Sequence, residues 1–238
     1  KLVSFDYSQI ELRCLAILSG DQKLIDIFNE GRDIHAAVAS LIGGVPEDQV
    51  DRDMRRKAKI VNFVILYGMG VNSLRKQMDT DRAEAQVFHD GFFEQFPQAT
   101  VFLEETKEYA RKNGHTKTLF GRRRQFNNIN SKLPFIRAMA ERMALNAPIQ
   151  GTSADMIKIA MIEIARWIKK KGVKEEALFI LQIHDEIIFE VKEEFVEEFS
   201  KEVLSVMENI LTLSYLEYES SVPLVVHSSA GDNWGELK

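Results

Sequence analysis

Residues 2–8 alternate, with Val3, Phe5 and Tyr7 on one side and Ser4, Asp6 and Ser8 on the other. A period of two predicts a strand with Asp6 near its polar end. The period then changes. Apolar positions spaced by three and four predict helices over about 21–29, 35–42 and 52–67, the last capped by Asp51 or Asp53 and ended by Gly68. A helix over about 81–96 opens with Asp81 and Glu84 at capping-box spacing, and Pro97 divides it from another that reaches Gly114. Helices over about 134–147 and 153–171 follow, the second stopped by Gly172. Beyond it two apolar runs, 178–183 and 187–191, are joined by His184-Asp185-Glu186, a hairpin with polar residues at its tip. A helix over about 195–213 and a strand over 222–226 complete the pattern. The order predicts an α+β sheet domain carrying a mostly helical one. Strand periodicity from residue 2, without a lead-in, carries the expectation that the chain is a fragment or one piece of a split protein.

At 238 residues with 45% hydrophobic positions, the chain has enough apolar surface for a real core. No run of eighteen apolar residues predicts a membrane span, and no basic-then-apolar leader opens the sequence. One cysteine, Cys14, excludes an internal disulfide and a thiolate zinc site. These features point to a reducing interior, cytoplasmic or organellar, rather than secretion. The net charge of −5 argues against a nucleic-acid partner until its distribution is read. Between Arg111 and Ala140 stand eight Lys or Arg and no acid; between Glu175 and Glu202 stand ten acids and two lysines. The basic segment is interleaved with Gly114, Gly121, Asn127, Asn128, Asn130, Phe120 and Phe126. Such a loop can approach a phosphate chain, although a merely solvated loop is the alternative. The acidic segment reads mostly as the solvated face of a helix.

Asp6 ends the first strand and Asp185 sits at the hairpin tip, 179 positions later. If both strands share a sheet, the two carboxylates, with Glu186, offer hard oxygen ligands suited to Mg²⁺ with substrate phosphates. Ordinary turn chemistry at Asp185 is the alternative, and an HD-type phosphohydrolase would need further His and Asp ligands that the other histidines do not supply. In the segment Arg55 to Gly68, Arg55, Lys59, Phe63 and Tyr67 recur every four residues. They form one slowly winding stripe about 18 Å long. Cations lead and aromatics follow, an order that suits phosphates at one end and a sugar and base at the other. The other reading is an amphipathic helix with Ile60, Val64 and Tyr67 in a core.

Three segments in chain order resemble a known family. Asp6-Tyr-Ser-Gln-Ile-Glu-Leu-Arg13, the Arg55–Gly68 stretch with its Arg-xxx-Lys-xxx-Phe-xxx-Tyr-Gly pattern, and Gln182-Ile-His-Asp-Glu186 look like motifs A, B and C of family A DNA polymerases, the bacterial DNA polymerase I type. Gly31-Arg-Asp-Ile-His35, Thr118-Leu-Phe-Gly-Arg-Arg-Arg124 and Asn146-Ala-Pro-Ile-Gln-Gly-Thr-Ser-Ala-Asp155 support the resemblance, which runs over essentially the whole chain. It implies a right-hand fold with palm at 1–20 and 133–238 and fingers at 21–132, the thumb being absent. Asp6 and Asp185 would bind two Mg²⁺ ions, with Mn²⁺ an alternative, and Glu186 would assist. Arg55, Lys59, His35 and Gln9 would hold the incoming dNTP, with Lys59 a proton donor to the leaving group. Phe63 would pack on the sugar, Tyr67 would lie near the templating pair, and Glu11 would exclude a ribose 2′-OH. Arg13, Arg122, Arg123, Arg124, Asn146, Gln150 and His184 would contact primer-template DNA.

Val64 departs from the pattern, standing where many relatives carry Gly. The function expected is DNA-templated DNA synthesis in replication or repair, with the missing thumb supplied by the same protein or a partner and with no membrane involvement. A related single-subunit RNA polymerase, against which Glu11 and Phe63 argue, and a non-catalytic DNA-binding subunit are the alternatives.

Overall fold

The computed structural model of the chain describes residues 1–216, 218 and 220–237. They divide into two compact units: Lys1–Ile10 with Ser153–Lys238, and Glu11–Thr152. Each has its own architecture.

The smaller unit is built on a four-stranded antiparallel sheet. Strand β1 (Leu2–Tyr7) lies between β5 (Glu186–Val191) and β6 (Val226–Gly231), and β4 (Ala177–Ile183) flanks β5. Val3, Phe5 and Tyr7 are buried, as their alternation predicts, and Asp6 is exposed. Phe5, Phe189 and Phe199 form edge-to-face pairs with centroids 5.0–6.1 Å apart. Phe199 comes from α9 (Val196–Glu208), whose acidic residues Glu197 and Glu198 face solvent as expected. The buried Tyr7 hydroxyl donates to Met207 O at 2.8 Å, tying the same helix to the strand.

Two expectations need correction here. The final strand is Val226–Gly231, not 222–226: Val222 and Leu224 are buried, but Pro223 has no N–H to give a ladder, and the pairing falls to a polar run that includes Ser228 and Ser229. Helix α9 also ends at Glu208, and a short 3₁₀ turn (Ile210–Thr212) carries the remaining apolar residues. Apolar burial continues past the helix, which is why periodicity alone overran it.

The larger unit is helical: α1 (Ile10–Ser19, its first residue in the smaller unit), α2 (Gln22–Asn29), α3 (Ile34–Gly43), α4 (Arg52–Leu66), α5 (Val71–Met78), α6 (Arg82–Gln95) and α7 (Pro97–Asn113). Helices α1 and α5 are unassigned in the sequence reading. The basic segment contains a small hairpin, β2 (His115–Lys117) and β3 (Arg123–Gln125). The two helices expected over 134–147 and 153–171 are one, α8 (Pro134–Lys171), whose residues from Ser153 onward belong to the smaller unit. Pro148 removes one helical N–H, but Ala144, Ala147, Ile149 and Thr152 around it are buried, and that packing outweighs the lost bond. The capping box at α6 is only half formed. Asp81 Oδ1 accepts from Glu84 N at 2.8 Å, while the Glu84 carboxylate turns to Lys57 Nζ at 2.7 Å and to the Thr80 hydroxyl.

A single buried carboxylate joins two helix starts. Asp21 Oδ1 accepts from Leu24 N at 3.3 Å and caps α2; its Oδ2 accepts from Gln98 N and Ala99 N at 3.0 and 3.1 Å at the start of α7. Phe96, which precedes α7, has no side chain able to cap. Among the described residues no helix is long and apolar enough to cross a membrane. Asp21→Ala should lower unfolding free energy by about 2–4 kcal/mol, because it strands donors at both helix starts. Asp21→Asn, which keeps one acceptor oxygen, should lose about half as much in urea titrations followed by circular dichroism.

Candidate functional site

In the smaller unit the sheet register gathers the carboxylates. Asp6 lies directly opposite Glu186 on β5 and opposite His227 on β6. Directly opposed residues of an antiparallel pair project from the same face with Cβ atoms about 5 Å apart. Asp185 sits in the hairpin turn, and its carbonyl accepts from Tyr7 N at 3.3 Å. The turn is set by His184, in the left-handed region at φ 52°, whose carbonyl accepts from Gln182 Nε2 at 2.6 Å. Although the residue is exposed, partial desolvation of the Asp6 carboxyl pushes it up to about 6, and the charges of Asp185 and Glu186 add to the rise while His227 offsets it. Among the described residues none of these three carboxylates is paired with Lys or Arg. A cluster of hard oxygen donors that raises its own proton affinity fits a divalent cation. No group of three or more metal-ligating side chains is formed among the described residues, so protein side chains would supply only part of a coordination shell.

In the larger unit the stripe on α4 is open to solvent. Arg55, Lys59 and Tyr67 are exposed and Phe63 is half-buried, whereas Ala58, Val61, Asn62, Val64, Ile65 and Leu66 are buried. Tyr67 therefore does not join the core. Phe63 and Tyr67 stack with centroids 6.5 Å apart. A hollow of about 660 Å³ is lined by Arg52, Asp53, Arg55, Arg56 and Lys59. Asp51 caps the helix through Met54 N at 2.8 Å.

Two residues to which the motifs assign no role organise this face. Asp33 Oδ1 caps α3 by accepting from His35 N and Ala36 N, both at 2.9 Å, while Oδ2 accepts from Arg55 Nη2 at 2.6 Å. Asn62 Nδ2 lies 2.9 Å from Nδ1 of the buried His35. Both flank motif residues, Asp33 two before His35 and Asn62 one before Phe63. The helix-cap preference of Asp was the signal available for the first; a buried Asn carries none. The His35 imidazole is pushed down to about 4 by burial, with Asp33 opposing and Arg55 and Lys59 reinforcing the shift.

The residues expected at DNA are distributed as follows. Arg122, Arg123, Arg124 and Gln150 are exposed, as is His184 in the other unit. The β2–β3 turn docks on α8: Arg122 Nη2 donates to Gly151 O at 3.0 Å and Leu119 N donates to Thr152 Oγ1 at 3.0 Å. A Cβ at Gly151 would stand 2.7 Å from Thr118 Cγ2, so this approach requires glycine. Arg111 is drawn away to Glu141 at 2.6 Å, so the basic surface centres on the hairpin rather than on the whole basic segment. Arg13 is buried with its guanidinium 4.5 Å from the Phe28 ring centroid, and burial lowers its pKa to about 10. Asn146 is buried, donating to Leu66 O at 3.3 Å at the end of α4. Gln9 adopts φ 55°, and Glu11 is half-buried in the first turn of α1.

Comparison with known proteins adds an independent line. Residues 1–236 match the family described as DNA polymerase family A. DNA polymerase I, thermostable, of Thermus aquaticus is 42% identical over 237 residues, spanning 100% of this chain and 27% of that protein. DNA polymerase I of Pseudomonas aeruginosa is 42% identical over 236 residues, 99% of this chain and 25% of that protein. The solved POL domain of Pol1 from M. smegmatis, in complex with DNA primer-template and dNTP, superposes with a TM-score of 0.91 at 39% identity, covering 99% of this chain and 40% of that one. The chain thus spans about a quarter of the length of the curated relatives it matches.

Between pH 6.5 and about 4 the unfolded chain takes up a proton that folded His35 refuses, so stability falls as pH drops through that window. The unfolding free energy of the wild type minus that of His35→Gln should decline toward acid across this range and be flat above pH 7, measured by urea titration at each pH.

Proposed function

The chain belongs to DNA polymerase family A, and we propose that it is the catalytic portion of a DNA-templated DNA polymerase, transferring a nucleotide from a dNTP to a primer 3′-OH with release of pyrophosphate. The observation that carries this reading is the register that sets Asp6 opposite Glu186, with the Asp185 turn bonded to Tyr7. Asp6 and Asp185 hold two divalent ions, Mg²⁺ or Mn²⁺, with Glu186 assisting. When bound, such ions supply Lewis-acid activation of the hydroxyl and charge stabilisation on the leaving group.

The protein's own groups do the remainder. Arg55 and Lys59 neutralise the triphosphate, and Lys59 delivers a proton to the departing pyrophosphate. His35 and Gln9 add contacts to the phosphates. Phe63 packs against the sugar, Tyr67 borders the templating pair, and Glu11 excludes a 2′-OH. The β2–β3 arginines, Gln150, Arg13 and His184 meet the primer-template, and Asn146 stands one helical turn before Gln150. In this reading residues 1–20 and 133–238 are palm and 21–132 fingers. The remaining parts of the hand come from the rest of a longer polypeptide or from a partner, in keeping with the share of the relatives that the chain spans. Work in replication or repair inside the cell, in cytoplasm or organelle, goes with that role.

In the complete enzyme, Asp6→Ala or Asp185→Ala should cut primer extension by about a thousandfold or more while leaving template-primer affinity within a few-fold. Undiminished extension would refute the assignment. Replacing Arg122, Arg123 and Arg124 together by Ala should weaken DNA binding irrespective of sequence. It should also flatten the slope of log affinity against log salt by about 2–3, read from fluorescence anisotropy.

A further inference from the structure

Between α3 and α4, His35 and Asn62 meet with their side chains each 1% exposed. The contact is Asn62 Nδ2 to His35 Nδ1 at 2.9 Å. An amide nitrogen only donates, so Nδ1 is the acceptor, and the single proton of a neutral imidazole then resides on Nε2. His35 Nε2 and Asn62 Oδ1 are both buried without a hydrogen-bond partner. With the amide turned over, Oδ1 would face Nδ1, the ring would carry Nδ1–H, and Nε2 would be a bare lone pair. Only the first arrangement makes His35 Nε2 a donor.

The surroundings say what such a donor suits. The His35 backbone is held by Asp33, whose other oxygen binds Arg55, and the Phe63 ring centroid lies 6.2 Å from the imidazole. His35 therefore sits among the groups assigned to the nucleotide. Burial, aided by Arg55 and Lys59, keeps the ring neutral at physiological pH. A neutral imidazole donates best to a phosphate oxygen when a hydrogen bond to its other nitrogen sets its tautomer in advance.

We propose that Asn62 is a positioning residue: by donating to Nδ1 it locks His35 in the Nε2–H tautomer and keeps that N–H as a neutral donor for a phosphate of the incoming nucleotide. This rests on the reading of α4 as the triphosphate-binding helix. Nε2 is covered in the structure, so a phosphate reaches it only when its cover shifts. The hydrogen bond then satisfies a donor that was otherwise stranded.

The test is a two-bond proton–nitrogen correlation spectrum of the ¹⁵N-histidine-labelled chain at pH 7, with His35 identified by its loss in His35→Gln. The wild type should show the Nε2–H tautomer. Asn62→Asp, whose carboxylate only accepts, should move the proton to Nδ1, and Asn62→Leu, which offers no donor, should give a mixture. Titration with dATP and Mg²⁺ should shift the His35 Nε2 resonance in the wild type and bind about tenfold more weakly to Asn62→Leu. A wild-type ring protonated at Nδ1, or a tautomer unchanged in both variants, overturns the proposal. In a uniformly ¹⁵N-labelled sample, nucleotide that shifts the Arg55 Nε and Lys59 Nζ resonances but leaves His35 Nε2 unmoved overturns it while the reading of α4 stands. Nucleotide that moves none of them removes that reading, and the proposal with it.

Discussion

Strand β1 is hydrogen-bonded on both edges, to β5 and to β6, and this ladder sets the register of residues 6, 186 and 227. A slip of one position would send Asp6 into the core and Phe5 into water. Burial of a large apolar side chain contributes about 1.5–3 kcal/mol, and Val3, Phe5 and Tyr7 are all buried on this strand. The register is thus enforced by side chains that take no part in chemistry. That enforcement holds three carboxylates together at a site where burial first, and the charges of Asp185 and Glu186 second, raise the proton affinity of Asp6.

The larger unit solves a different problem, presenting cations and aromatics on a helix whose other face is buried. Carboxylates at helix starts do most of the arranging. Asp21 serves α2 and α7, Asp51 serves α4, and Asp33 divides its two oxygens between the start of α3 and Arg55. The Asp33–Arg55 pair is partly solvent-exposed, with side-chain accessibilities of 42% and 46%. Exposed pairs contribute about 0–1 kcal/mol. Such a contact orients the guanidinium without holding it against a competing phosphate, which offers more charge and more acceptor oxygens.

Helix α4 was legible because three signals agreed: an acid at the cap, Gly68 after the end, and a four-residue recurrence of cations and aromatics. The carboxylate pair was legible only as a condition, since its two members lie 179 positions apart. Helix α8 was misread because Pro148 and Gly151 look like a break when packing is unknown. Gly151 is instead where the β2–β3 turn comes closest to α8. The strand placed at 222–226 followed hydrophobicity, whereas β6 is a polar run chosen by the free edge of β1. Asn62 passed unnoticed because a lone amide in a motif helix has no pattern to betray a buried partner.

Taken by itself, the order of residues determined the local periods, the helix caps, the separation of charge and the motif spacings, because each depends on neighbours within a few turns. Tertiary structure alone decided which distant groups meet: Asp6 with Glu186 and His227, Asp33 with Arg55, and His35 with Asn62. It also decided that Arg111 is spent on Glu141 while the hairpin arginines stay exposed. The physical reason is that pairing and burial are set by cross-strand register and helix packing, which join positions that no local window contains.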